Sequence, residues 1–429
     1  MDHFLTDDTK AIILLCAVLG KDKSVAPLKL TEYNTLVQWL RNTNMRPAAL
    51  LSLMDLREVA AGTGIKQERL SALLDRGVQL GFAIEEWQRN GLWIISRSDQ
   101  DYPTRYKSHL KEKAPPLLFG AGDKNLLQGG GVAIVGSRNI DIEGEDFTRH
   151  AAEECAFCKI PVVSGGARGV DQIAMSSALE AGGKTIGVLA DNLLKASIER
   201  HARYAIAEGQ LLLISPYHPQ ARFAVGSAMG RNKLIYAIAD YGLVVSADHK
   251  KGGTWAGAEE ELKRQRSITI FVRTTGNVPL GNKKLLELGA MEWPAVTVQG
   301  VLPETLAEVT ENRVEKEETS QENLDLFSYQ PQDNKQDSES TDDKKEGVTL
   351  PAPPLTEEKP AESDQPSSIY AAILPVLLGH LSSPVTADDL AERLDVAKGQ
   401  LNAWLKGAVE EGKVKKLKNP VRYSIIDGK

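Results

Sequence analysis

The sequence predicts an α/β fold built on a doubly wound, mostly parallel sheet between residues 131 and about 273. Short apolar runs of the length of buried strands alternate there with helix-length segments. The runs are Val132–Val135, Pro161–Val163, Thr185–Leu189, Leu211–Ile214, Leu243–Ser246 and Ile268–Val272. Strands that alternate with helices form right-handed βαβ units and a parallel sheet that is covered on both faces. We therefore expect a Rossmann-like domain.

The segments between these strands have the length and polarity of helices. They are Glu143–Phe157, Asp171–Ala181, Ala196–Glu208, Arg231–Asp240 and Thr254–Arg264. Small-residue segments follow several of the strands, namely Gly136-Ser137-Arg138, Ser164–Gly169, Ala190-Asp191 and Gly252-Gly253-Thr254. Ligands of doubly wound sheets bind at the carboxyl ends of the strands. We therefore expect these segments to share one edge of the domain.

The first two of these segments have the composition of a phosphate-binding site. Glycine lets the backbone approach an anion, and the N-terminus of a following helix directs amide groups at it. Arg138 and Arg168 each add a guanidinium, which can bind a phosphate in a bidentate manner. The pattern predicts a site for a nucleotide or for a nucleic-acid backbone.

Composition places the chain among globular proteins of an intracellular compartment. It has 429 residues, 42% hydrophobic residues and a formal net charge of -7, which argues against a uniformly basic nucleic-acid binder. Its three cysteines are too few for a disulfide framework, and Cys155 and Cys158 fall inside a predicted helix without a second pair to complete a zinc site. The acidic N-terminus lacks a signal peptide pattern, and Ala11–Leu19 is too short to span a bilayer. We expect a cytoplasmic protein.

Residues 1–88 are predicted to form a helical domain, because apolar residues recur there at three- and four-residue spacing. The segment Gly62-Thr63-Gly64-Ile65 has two interpretations. It resembles the turn of a helix-hairpin-helix (or SAM-like) module, whose amides contact a DNA phosphate, and it also fits an ordinary helix C-cap. Residues 89–302 then form the core, entered through the predicted strands Leu92–Ser96 and Leu117–Gly120.

The C-terminal third of the chain changes character twice. Residues 303–366 are rich in Glu, Asp, Gln, Ser, Lys and Pro, which predicts a disordered acidic linker. Residues 367–429 are predicted to form three helices and a hairpin, the order of a winged-helix domain. The hairpin is basic, with Lys413, Lys415, Lys416, Lys418 and Arg422. It would contact either a nucleic-acid backbone or another protein.

Several enzyme classes lack support in the sequence. No GxGxxG follows a strand and no GxxxxGK[ST] loop is present, which excludes a dinucleotide fingerprint and a P-loop. The seven histidines are scattered, and no Ser–His–acid order stands out. We expect no catalytic residue, no metal and no cofactor.

A set of motifs in fixed order is more informative. They are VGSR (135–138), SGGARGVD (164–171), GRNKLIYAIAD (230–240), VVSADHKKGGT (244–254) and NVPLGNKKLLELGA (277–290), preceded by a D-YP…PP-L-G lead-in within Gly91–Gly120. Together they closely resemble the DNA-processing protein A (DprA/Smf) family over most of residues 1–300. The winged-helix tail is a common appendage of that family.

The resemblance implies a Rossmann-like core that binds single-stranded DNA in a basic pocket, often as a dimer. It also implies loading of a RecA-type recombinase, as in natural transformation. Carried over by motif, a phosphate would meet Gly136, Ser137 and Arg138, and the neighbouring wall would be Ser164, Gly165, Gly166, Arg168 and Gly169. Arg231 and Lys233 would supply charge at a helix start, Asn232 would hold the loop, and Gly252, Gly253 and Thr254 would close the pocket. Asp171 would cap a helix and hold the turn rather than contact DNA.

The chain departs from the family pattern at several motifs, as in a divergent branch. Ala174-Met175 stands where the family has Ala-His, and Phe223 is followed by the glycine-containing stretch 224–230 instead of a proline approach to Arg231. These departures leave general recombination and defence against foreign DNA open as pathways beside transformation.

Two other functions remain open from the sequence. The GGTWAGAEEE segment is similar to the loop of the related lysine-decarboxylase-like superfamily, which suggests a nucleotide-sensing or nucleotide-hydrolysing enzyme with Glu259 or Glu260 as catalytic acid. The alternative for both glutamates is a charged helix face. A third hypothesis is a scaffold whose end domains recruit partners and whose linker sets their reach.

Overall fold

The structure is a computed structural model that describes residues 5–20, 25–52, 55–264, 268–295, 298–311, 369–381, 384–394, 401, 404–405, 407–409, 411–417 and 422–425. Contacts divide the chain into two units, Met1–Gln332 and Asp333–Lys429. No helix among the described residues combines the length and apolar character needed to cross a membrane.

A nine-stranded sheet forms the centre of the first unit, counted over the described residues. Its strands are β1 (Trp93–Ser96), β2 (Leu117–Ala121), β3 (Val132–Gly136), β4 (Val162–Ser164), β5 (Thr185–Val188), β6 (Leu211–Ser215), β7 (Tyr241–Ser246), β8 (Thr269–Val272) and β9 (Met291–Glu292). Their order in the sheet is β1-β2-β6-β5-β4-β3-β7-β8-β9. From β6 to β9 the pairs are parallel, whereas β1 and β2 add an antiparallel edge next to β6.

Helices precede the sheet and then cover it. In the N-terminal part they are α1 (Asp7–Cys16), α2 (Leu30–Asn42), α3 (Leu56–Thr63), α4 (Gln67–Leu74), α5 (Gly77–Arg89) and α6 (Thr104–Leu110). Along the sheet they are α7 (Ile142–Phe157), α8 (Val170–Glu180), α9 (Leu193–Ile198), α10 (Arg200–Ala207), α11 (Val225–Ile238), α12 (Gly252–Leu262) and α13 (Leu280–Glu287). Short 3-10 helices lie at Pro47–Leu51, Lys111–Lys113 and Lys124–Gln128.

The strand order confirms the predicted doubly wound α/β fold. From β3 the chain winds outward through β4, β5 and β6, then returns to lie beside β3 with β7 and continues to β8 and β9. The carboxyl ends of β3 and β7 therefore flank the point where the winding reverses, which is where such sheets bind ligands.

Two cores cover the two faces of this sheet. One contains Ile235 and Ile238 of α11 together with Trp255 of α12, packed on the strands. The other contains Ala152 of α7 and Ala174 of α8 on the opposite face. The predicted strands are buried because helices cover both faces of the sheet.

The N-terminal helices have a core of their own and also share one with the sheet. Leu36, Leu40, Leu70 and Leu73 belong to the first of these cores. Trp87 of α5 packs instead with β1, β2 and β6. In the Gly62–Ile65 segment, Gly64 adopts φ +72 and its amide donates to the carbonyl of Ala60. This is the geometry of a left-handed C-cap, the second of the two interpretations above.

Several predicted boundaries are wrong. Helix α11 begins at Val225, not at Arg231, so that Arg231 lies in its second turn. The predicted helix Ala196–Glu208 is divided into α9 and α10, because Glu199 takes an extended conformation between them. The predicted linker cannot start at 303, since residues 302–311 are helical and Leu302 and Leu306 are fully buried against the sheet. Helices α6 and α13 and strand β9 were not predicted.

The second unit contains helices α14 (Ile369–Gly379) and α15 (Ala387–Arg393) and the antiparallel strands β10 (Val414–Leu417) and β11 (Arg422–Ile425). Leu377, Leu390, Leu405 and Tyr423 contribute to its core. The winged-helix assignment stays a prediction. The rest of the predicted linker and Lys418 of the basic hairpin lie outside the described residues.

Candidate nucleic-acid interface

Two adjoining cavities open at the carboxyl edge of the sheet. The first has a volume of about 380 Å³ and lies at the reversal point. It is lined by the segment after β3, by the start of α12 and by the N-terminal half of α11, including Gly136, Ser137, Arg138, Arg231, Asn232, Lys251, Gly252, Gly253 and Thr254. The second has a volume of about 500 Å³ and is lined by the segments after β4 and β5, including Gly165, Gly166, Arg168, Ala190 and Asp191.

The two cavities share four residues and therefore form a continuous recess. Arg138, Ala167, Phe223 and Arg231 line both. The described residues of the recess carry cations from Arg138, Arg168, Arg231 and Lys251, and carboxylates from Asp171, Asp191 and Asp248. The recess is thus mixed in charge, with three cations on the segments that follow β3, β4 and β7 and the fourth, Arg231, on α11.

Helix N-termini point into this recess. Helices α8, α11 and α12 all begin there, and in none of them does the N-cap side chain accept a hydrogen bond from the first turn. The first amides of a helix have no partner within the helix and carry partial positive charge. At α8, the amides of Val170 and Gln172 already donate to the carbonyls of Ser137 and Ala167. The uncapped ends of α11 and α12 therefore leave amide donors for an anion.

Arg231 is the most unusual side chain of the recess. It is 5% exposed, and its Nη1 lies 3.8 Å from Oδ2 of buried Asp171. Its Nε and Nη1 have no hydrogen-bond partner among the described residues, and neither has the buried hydroxyl of Tyr236, which lines the first cavity. A buried guanidinium with unsatisfied donors is costly unless a ligand supplies acceptors.

The surroundings of Arg231 are shaped to hold its guanidinium. A Cβ on Gly165 would collide with Nη1 of Arg231, so glycine leaves the space that the side chain fills. Asp171 faces Arg231 and accepts a hydrogen bond from the amide of Gly165 at 3.2 Å. Burial raises the pKa of Asp171, although the neighbouring Arg231 opposes that shift. Asp171 holds the turn as expected, but the N-cap of α8 is Gly169.

Arg138 and Arg168 stand at the surface of the recess. Both are exposed, and neither has a carboxylate partner among the residues that the structure describes. The guanidinium of Arg138 lies over the ring of Phe223, 5.5 Å from its centre. A flat guanidinium next to a half-exposed aromatic ring can meet both a phosphate and a base.

Hydrogen bonds join the walls of the first cavity. The hydroxyl of Thr254 donates to the carbonyl of Gly136 at 3.0 Å, which ties α12 to the end of β3. Nδ2 of Asn232 donates to the carbonyl of Gly253 at 2.9 Å, which ties α11 to α12. A Cβ on Gly136 would collide with Val170, so this glycine also permits close packing of α8 on β3.

Some residues of the predicted set support the recess without lining it. Ser164 is fully buried, and its hydroxyl donates to the carbonyl of Ile134 at 2.6 Å. Gly169 has φ +87, and a Cβ there would collide with the carbonyl oxygens of Ser137 and Arg138. Both residues therefore position the backbone rather than contact a ligand.

Lys233 lines neither cavity, unlike Arg231, with which it was predicted to supply charge. Two residues along a helix turn the side chain by about 200°, so Lys233 and Arg231 face opposite sides of α11. Lys233 is half-buried near Glu260, Lys113 and Arg264. Conversely, Lys251, Val225 and Met229 line the first cavity and were not predicted. Lys251 could have been found from its position directly before the Gly252–Thr254 segment.

The two glutamates of the alternative hypothesis lie outside both cavities. Glu259 accepts hydrogen bonds from Trp255 at 2.9 Å and from Lys263 at 2.7 Å, and the bond from Lys263 is the main reason that its pKa lies below the usual value. Glu260 pairs with Lys113 and Arg264. A catalytic acid needs a raised pKa and a place beside its substrate, whereas the pKa of Glu259 is lowered and its side chain lines neither cavity.

Known proteins are similar to the part of the chain that contains the sheet and the recess. Residues 93–300 match the family model of DNA recombination-mediator protein A. DNA processing protein DprA of Bacillus subtilis (strain 168) is 28% identical over 234 residues, which cover 52% of this chain and 76% of that protein. Protein Smf of Escherichia coli (strain K12) is 32% identical over 165 residues, which cover 38% of this chain and 44% of that protein.

A solved structure shares the fold. The X-ray structure of DNA processing protein A (DprA) from Streptococcus pneumoniae superposes with a TM-score of 0.54 at 22% identity, over 70% of this chain and 98% of that one. Residues 93–300 of this chain are therefore similar in sequence to the DNA recombination-mediator protein A (DprA/Smf) family and share its fold.

Proposed function

We propose that this protein binds single-stranded DNA and acts as a recombination mediator. The observation that carries the proposal is Arg231, a buried guanidinium with unpartnered donors at the junction of the two cavities. The uncapped N-termini of α11 and α12 line the first cavity together with Arg231. Similarity to the DprA/Smf family supports the same function.

A polymer of phosphates fits the recess better than one nucleotide. The cations are spread over both cavities, with Lys251 at one end and Arg168 at the other, and Arg138 and Arg231 between them. A mononucleotide would use part of this set, whereas successive phosphates of a strand use all of it. A single strand is also flexible enough to bend its phosphates into a recess, which a duplex is not.

The proposed role is binding rather than catalysis. Glu259 and Glu260, the candidate acids for nucleotide hydrolysis, are engaged on α12 away from both cavities. This placement disfavours the enzymatic alternative.

The proposal also includes more detailed features of the function. They include loading of a RecA-type recombinase, a homodimer, a cytoplasmic location, and DNA or protein contacts by the winged-helix region of residues 367–429 and by the N-terminal helices of residues 1–88. Family resemblance supports the first two. The basic side chains Lys415 and Arg422 on the hairpin strands support contacts with nucleic acid.

The test is a titration of a fluorescent 20-nucleotide dT strand by anisotropy at several salt concentrations, with a duplex of the same length in parallel. The logarithm of affinity should fall linearly with the logarithm of salt concentration, by about 0.7 per phosphate contact for a single strand. Arg138→Ala should weaken binding about tenfold and reduce that slope by about 0.7. Lys233→Ala removes the same charge outside the cavities and serves as the matched control.

The outcomes separate cleanly. Equal or tighter binding of the duplex, or no binding of the strand at low salt, refutes the proposed function. Equal losses in Arg138→Ala and Lys233→Ala would show that general charge, and not the recess, binds the strand.

A further inference from the structure

The first cavity has one wall that the binding of phosphates does not explain. Val225 and Met229 lie four residues apart on the first turns of α11 and face the cavity beside Ala228. Val225 is 67% exposed and Met229 is 51% exposed. Large apolar side chains left open inside a recess mark a surface for an apolar ligand group.

The facing wall has the opposite character. Ser137, Lys251 and the first turn of α12 present a hydroxyl, a cation and uncapped amides. The cavity is therefore polar on one side, where Lys251 and Asp248 both line it, and apolar on the other. A nucleotide has the same division, since its phosphate is charged and its base presents two flat apolar faces.

We propose that a base of the bound strand packs against Val225 and Met229 while its phosphate lies on the α12 side. This inference rests on the proposed function and deepens it. A methionine thioether makes favourable contacts with aromatic rings, and Met229 adapts its shape to any of the four bases. The apolar wall thus makes binding depend on the presence of bases without selecting their sequence.

The apolar wall exists because α11 begins at Val225, before Arg231. Residues 225–230 form turns that precede Arg231, and the hydroxyl of Tyr217 donates to the carbonyl of Ser227 at 3.0 Å to hold them. A helix beginning at Arg231 would remove both apolar side chains from the cavity. The extra turns consequently add a base-contacting surface to a phosphate-binding one.

The experiment compares two strands and two double variants by anisotropy. The strands are 20-nucleotide dT and an abasic strand of the same length and charge. The test variant is Val225→Ala with Met229→Ala, in which alanine preserves the helix. The control is Val78→Ala with Phe82→Ala, because these α5 side chains are also four residues apart and are 70% and 69% exposed.

We expect the test variant to bind dT about tenfold more weakly, with the abasic strand unaffected and the salt slope unchanged. The control variant should bind both strands like the unaltered protein. Circular dichroism checks that helix content is retained in both variants.

Three results overturn the inference. The first is an unchanged affinity of the test variant for dT. The second is an equal loss of affinity for dT and for the abasic strand. The third is a change of oligomeric state in size-exclusion chromatography with unchanged affinity, which would assign the apolar wall to contact with a second copy of the chain. Failure of the unaltered protein to bind dT is a different result, since it removes the proposed function itself.

Discussion

Gly165→Ala tests whether the buried guanidinium of Arg231 is the centre of the phosphate site. Gly165 has no positive φ, so alanine is compatible with its backbone. The three atoms nearest to its added Cβ all belong to the guanidinium of Arg231, namely Nη1, Cζ and Nη2. The guanidinium is the end of a flexible side chain, so the expected response is displacement of Arg231 from its place at the junction of the cavities.

The magnitudes follow from this geometry. Adding a methyl group to a packed site costs about 1–3 kcal/mol of stability. Loss of a hydrogen-bonded charge contact to a phosphate costs about 1.5–3 kcal/mol of binding free energy, which corresponds to roughly 10- to 100-fold weaker binding. Gly165→Ala should therefore leave a folded protein with a substantially reduced affinity for single-stranded DNA.

The assay combines urea unfolding with anisotropy on the dT strand. Gly81→Ala is the matched control, because Gly81 lies in α5 with no atom within 4 Å of an added Cβ. It should raise stability by up to about 1 kcal/mol and leave affinity unchanged. In an Arg231→Gln background, Gly165→Ala should cause no further loss of affinity. Additive losses in that double variant would refute the reasoning.

Three further predictions concern the same recess. Gly169→Ala should destabilise the protein by about 1–3 kcal/mol in urea and weaken DNA binding, because φ +87 and nearby carbonyl oxygens leave no room for a Cβ; retained stability would contradict it. Thr254→Val should cost about 0.5–1.5 kcal/mol by removing the hydrogen bond to Gly136, and Thr254→Ser should restore it. Asp171→Asn should tighten binding of the dT strand, since the carboxylate competes with phosphate for Arg231, and weaker binding would oppose this. Burial holds the pKa of Asp171 above its ordinary 3.8, so the native state binds this proton more readily than the unfolded chain. Stability from this group is present below pH 3.8 and is lost as the pH rises through the native pKa, and Asp171→Asn should remove that part of the pH profile of urea unfolding.

The sheet could be predicted from the sequence because its strands are fully buried. A run such as Val132–Val135 is apolar throughout, since helices cover both faces, and a short apolar run between helical segments has few other interpretations. The position of the recess at one edge of the sheet could be predicted in the same way, because the small-residue segments come directly after strands. Strand β9 has two residues and leaves no such pattern.

The orientation of side chains around α11 could not be predicted in the same way. The Arg231–Lys233 motif indicated charge, but only the position of the helix axis shows that Arg231 faces the sheet edge and that Lys233 faces away. The start of α11 was missed because Gly226 and Gly230 are poor helix formers. In the folded chain, the bond from Tyr217 to Ser227 helps to hold these turns against that propensity.

The residues of the SGGARGVD segment have different roles, some structural and some in binding. The sequence alone shows only one glycine-rich motif. Ser164 holds the end of β4 to β3, and Gly165 leaves space for Arg231. Gly169 allows close contact with the carbonyl oxygens of Ser137 and Arg138, and Asp171 provides a negative charge opposite Arg231. The ion pair is long, at 3.8 Å, and leaves Nε and Nη1 of Arg231 unpartnered. A shorter pair would neutralise the guanidinium and remove its attraction for phosphate. The segment thus keeps a buried cation in place while leaving its hydrogen-bonding capacity for the strand.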